Sequence, residues 1–132
     1  MAPTACMSGK TTQDGTMLLE GLIDLYGRER VLYQEVLQLS NDQADLVRAG
    51  ESLRRVRQVL DAKRERLDEI ARLERESATA RSYWERHRYE LGGSHPVRLQ
   101  QSLHAVGELI EKILQVESEN DKLFLEMAGH AV

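Results

Sequence analysis

The chain has 132 residues, 30% of them charged and 5% aromatic, with two prolines, one cysteine and a formal net charge of −4. This length excludes a catalytic barrel or a two-domain enzyme, and the mixed charge excludes a general affinity for nucleic acid or anionic membrane. A single cysteine, Cys6, excludes an internal disulfide, and no stretch approaches the roughly 20 apolar residues that would insert into a bilayer.

Residues 1–16 read MAPTACMSGKTTQDGT, with no apolar h-region, so the expected location is cytoplasmic. Residues 1–15 offer almost no apolar area and are expected to form a disordered polar leader. From Leu18, leucine occupies every seventh position: Leu25, Leu32, Leu39, Leu46, Leu53, Leu60 and Leu67 follow. One long zipper helix would fit those leucines alone. Their apolar companions do not fit it. Before residue 50 the companions stand four places on, at Leu22 and Val36; after it they stand three places on, at Val56 and Ile70. The stripe changes phase across Arg48-Ala49-Gly50-Glu51-Ser52, where a glycine just past a helix end meets polar residues suited to starting another.

The spacing therefore predicts helices over about 17–48, 51–91 and 96–128, within one domain at 16–129. Gly92-Gly93 stops the second helix, and Ser94, His95 and Pro96 open the third. The expected fold is all-α: an elongated antiparallel up-down-up bundle of three long helices with coiled-coil-like packing. Charge divides accordingly. Residues 1–47 carry 3 basic and 7 acidic side chains (−4), residues 48–95 carry 12 and 9 (+3), and residues 96–132 carry 3 and 6 (−3).

Chemistry-bearing patterns are weak. Ser8-Gly9-Lys10-Thr11 resembles the end of a phosphate-binding loop, but Thr4 replaces the first glycine and no strand can precede it. His87, His95, His104 and His130 form no ligand set, so neither metal nor cofactor is expected. No nucleophile, base and oxyanion donors converge, so no enzyme is expected. The arginines between Arg54 and Arg75 alternate with acids, as on a solvated helix face. Tyr83 and Trp84 either plug the bundle end or form a secondary tip for a partner. The third helix carries more apolar width than two neighbours can cover, which implies a client or a dimer mate. Its candidate binding residues are Ile110, Ile113, Leu114, Glu117, Asn120, Leu123, Phe124 and Met127, with Asn120 and Glu117 setting register.

Three stretches resemble the FlgN-like flagellar type III export chaperones. Leu32-Tyr33-Gln34-Glu35-Val36-Leu37-Gln38-Leu39 is similar to that family's first helix. Ala44-Asp45-Leu46-Val47-Arg48-Ala49-Gly50-Glu51, followed by Leu53, is similar to its turn. Lys63-Arg64-Glu65 through Leu67, Ile70, Leu73, Glu74 and Arg81 is similar to its second helix, and Glu119-Asn120-Asp121-Lys122-Leu123 more weakly to its last. The resemblance spans about residues 18–127, and Met17 directly before it is an alternative start. It implies a cytoplasmic chaperone without ATPase activity. Such a chaperone would hold hook–filament junction proteins through its C-terminal helix and deliver them to export-gate components. The alternative is a scaffolding coiled coil that self-associates as a homodimer through the same helix.

Overall fold

A computed structural model describes the backbone of residues 2–130 and the side chains of residues 15–129. The chain is all-helical, and no strand occurs among the described residues. Among the described residues four helices form: α1 (Ala2–Arg48), α2 (Leu53–Glu76), α3 (Ala78–His87) and α4 (Ser94–His130).

The phase change at Gly50 is a helix stop of the Schellman type. Gly50 takes φ +69°, its N–H donates to the Val47 carbonyl (3.1 Å), and the Glu51 N–H donates to the Leu46 carbonyl (3.0 Å). These bonds satisfy carbonyls that a helix end leaves orphaned, in a conformation a side chain would strain. Ser52 then sits extended ahead of α2, and Gly93 at φ +88° turns the chain into α4.

Two expectations are corrected. α1 begins at Ala2 rather than near residue 17, so the segment read as a leader continues the helical backbone. Extending an existing ladder avoids the nucleation cost of a new helix. The side chains of the leader, including Cys6 and the Ser8–Thr11 pattern, lie outside the described residues. The helix expected over 51–91 breaks at Ser77 and ends at His87, so three helices become four. At Ser77, φ −94° and ψ 4° leave the helical region. Its hydroxyl donates to the Glu74 carbonyl (3.1 Å), and that carbonyl also accepts from Arg81 Nη2 (2.7 Å). Side-chain groups thus take over a backbone acceptor, a recognised cause of a helix kink.

α1 is the shared partner, packed by α2 and α3 on one flank and by α4 on another, while the backbones of α2 and α4 stay more than 8 Å apart. Arg66 on α2 bonds Glu35 and Lys63 bonds Gln43, so α2 runs antiparallel to α1. His95 lies 3.1 Å from Glu20, and Asn120 bonds Ser40, so α4 runs parallel to α1. The apolar core occupies the end away from Gly50, where Leu19, Leu22, Tyr26, Trp84, Leu99 and Val106 pack together. Leu99→Ala should cost about 3 kcal/mol in urea denaturation, because Leu99 is fully buried in that core. Leu60→Ala, at an outward position, should cost less than about 0.5 kcal/mol.

Candidate interaction surface

The end near Gly50 is built the other way. Its interior holds Ser40, Gln43, Lys63 and Asn120, all buried, with Glu117 beside them. Each polar residue sits in a seven-residue series that is otherwise largely apolar: Val56, Lys63, Ile70 on α2, and Leu99, Val106, Ile113, Asn120, Met127 on α4. Lys63 Nζ donates to Gln43 Oε1 (2.9 Å) and makes a short contact with Glu117. Ser40 Oγ donates to Glu117 Oε1 (2.5 Å), and Asn120 Nδ2 donates to the Ser40 carbonyl (3.1 Å). One cluster therefore joins α1, α2 and α4 at a single level. Burial pushes the Glu117 carboxyl up, but hydrogen bonds from Lys63 and Ser40, together with the lysine charge, hold it below the ordinary carboxylate range.

Ala44 and Val56 are buried beside this cluster, yet most large apolar side chains at this end face outward. Leu53, Leu114 and Leu125 are 70%, 63% and 73% exposed, and Leu60, Leu67, Phe124 and Met127 are all more than a third exposed. Of the residues expected on the binding face, Leu114, Phe124 and Met127 are exposed. Ile113 and Leu123 are half-buried, and Ile110 packs against the main core. Glu117 and Asn120 turn inward and hydrogen-bond within the chain, Glu117 with Lys63 and Ser40 and Asn120 with the Ser40 carbonyl. Register-setting by those two residues therefore acts between the helices of this chain.

Trp84 is buried in the main core, so it plugs the bundle end, while Tyr83 lies over Gly15 and stacks on His87 at 4.5 Å. No group of His, Cys, Asp or Glu among the described residues is placed to hold a metal ion, and no described helix is long and apolar enough to cross a membrane.

Sequence reasoning missed a second buried polar group. Glu29 is buried on α1 and faces Glu74 and Arg81 across the Ser77 break, with Tyr26 and Tyr33 on its own helix. Arg81 Nε lies 3.1 Å from Glu74 Oε2. Glu29 Oε1 has no hydrogen-bond partner among the described residues. Desolvation, then the hydrogen bond and charge of Glu74, push the Glu29 carboxyl up to about 8, partly offset by Arg81. The available signal was position: Glu29 stands seven residues from Leu22 and from Val36, both fully buried.

No protein-family model, curated protein or solved structure matches this chain.

Two measurements follow from these groups. Glu117→Ala should destabilise by about 2–3 kcal/mol, since it leaves a buried ammonium short of its counter-charge, whereas Lys63→Met with Glu117→Leu should return close to wild-type stability. Glu29 titrates near 8 when folded against an ordinary value of 4.5, so the folded chain keeps a proton that the unfolded chain loses. Stability should then fall as pH rises from about 4.5 to about 8, and Glu29→Gln should flatten that slope in urea titrations.

Proposed function

We propose that this protein is a cytoplasmic, non-enzymatic carrier of the flagellar export chaperone type. Its job would be to hold an amphipathic helix of a hook–filament junction protein until delivery to the export gate. In this reading α2 and α3 act as one kinked limb, and the chain works as an up-down-up bundle of three limbs with coiled-coil-like packing.

The observation that supports it is the inverted end of the molecule: a polar cluster inside and exposed leucine, phenylalanine and methionine outside. A helix gains little stability by displaying such residues, and a surface of this kind is suited to a helix-in-groove contact. Phe124 and Met127 lie one and two turns beyond the buried Asn120 on α4, so a client helix would add to the face that already meets α1. Ile113 and Leu123 are half-buried and would border the contact. Methionine adapts to irregular partners and phenylalanine supplies a rigid apolar anchor, a combination that suits a helix-binding face.

Immobilised full-length protein should capture hook–filament junction proteins with a Kd between micromolar and nanomolar, about −8 to −12 kcal/mol. The Phe124→Asp, Met127→Asp double variant should lose at least about tenfold in affinity, equivalent to about 1.4 kcal/mol, while keeping its helical circular dichroism. Unchanged capture by that variant rejects the proposed face, and no capture by the wild-type chain rejects the carrier role.

A further inference from the structure

We infer that the open groove between α2 and α4 is closed by a second copy of this chain, with α2 of each copy lying along α4 of the other. The inference does not rest on the carrier reading: it needs no client, and of the residues expected to face one its α4 wall uses only Leu114.

Lys63 and Glu117 touch across the groove and therefore stand at one level. From that level, helical spacing fixes what lines each wall. Leu60 and Leu67 stand three residues before and four after Lys63, on the same flank of α2. They line a depression of about 550 Å³ together with Arg57, Asp61 and Arg64. Leu114 and Asp121 stand three before and four after Glu117, and Leu125 continues that flank of α4. Both walls turn toward the side on which α2 and α4 fail to meet.

The helical segments that carry the walls are opposite in net charge. Residues 53–68 carry six basic and three acidic side chains, a net of +3, and residues 111–127 carry two basic and five acidic, a net of −3. α2 and α4 run antiparallel, so a two-fold axis parallel to the bundle places α2 of one copy over α4 of the other with every level preserved. Leu67 then falls within one residue's rise, about 1.5 Å, of the partner's Leu114. By the same count Leu53 falls two residues from the partner's Leu125, and Arg57 two from the partner's Asp121. Asp61 falls three from the partner's Lys122. Asp68 meets the partner's Glu111 at nearly the same level, and Arg64, one turn away, is the cation within reach of both. The four most exposed leucines of the groove thus find apolar partners, and Arg57 and Asp61 find counter-charges, in one symmetric arrangement.

Sedimentation velocity on the full chain tests this directly. The wild-type protein should sediment as a dimer of twice 15.1 kDa. Reversing one wall (Arg57→Glu with Arg64→Glu) or the other (Glu111→Arg with Asp121→Arg) should give a folded monomer, since all four side chains are exposed. An equimolar mixture of the two variants should restore a dimer, because the reversed α2 wall of one variant then faces the reversed α4 wall of the other with opposite sign, and the two unreversed walls pair as in the wild type. A wild-type monomer overturns the inference. So does a dimer that survives either reversal, or a mixture that stays monomeric. A wild-type monomer that associates only when a junction protein is added assigns the groove to that partner instead.

Discussion

A lysine ammonium buried between helices demands a counter-charge and hydrogen-bond acceptors at fixed places, and the Gly50 end of this molecule is organised around that demand. Lys63 finds Gln43 on α1 and Glu117 on α4; Ser40 completes Glu117 and gives its carbonyl to Asn120. Sliding any one helix by a turn would strand at least one of these groups without a partner, at a cost larger than a displaced methyl would carry. The cluster therefore fixes the levels of three helices. It also uses up the interior positions that leucines would otherwise fill, which is why apolar side chains at this end are displaced to the outside.

The opposite end solves the packing problem differently. Leu22, Leu99 and Trp84 close an apolar core, and the polar exceptions are confined to Glu29, its carboxyl neighbour Glu74 and Arg81 beside the Ser77 break. That arrangement tolerates a carboxyl away from water by keeping it protonated near neutrality, whereas the Gly50 end tolerates one by keeping it ionised against a cation. The two ends of one slim fold thus place carboxyl groups in opposite protonation states.

Much of this architecture is legible in the order of the residues. The stop at Gly50 follows from the shift in companion spacing, and Leu22, Val36, Val56 and Ile70, the companions that reveal it, are all buried. The leucine series itself is misleading. Its members are half-buried on α1 and exposed at Leu53, Leu60 and Leu67 on α2, because the true core stripe runs one helical step away. The Ser77 break carries no glycine or proline. It is accompanied by the Ser77 hydroxyl and Arg81 both bonding the Glu74 carbonyl, contacts that residue-by-residue propensity does not contain. The apolar excess on α4 is real at Leu114, Phe124 and Met127. The inward turn of Glu117 and Asn120 is set by partners 54 to 80 residues away in sequence.

The parallel alignment of α1 and α4 has a consequence for how the chain reaches this state. α1 and α2 meet through a tight turn, so their pairing closes short loops, as in Lys63 with Gln43, 20 residues apart. α4 meets α1 only through contacts such as His95 with Glu20 and Asn120 with Ser40, 75 and 80 residues apart. The entropy of bringing distant segments together is thus concentrated in the docking of α4 onto α1. Lys63 is the part of the α1–α2 hairpin left without its counter-charge until α4 arrives. Glu117 delivers the counter-charge, so the rate of α4 docking, more than that of the hairpin, should carry the dependence on ionic strength.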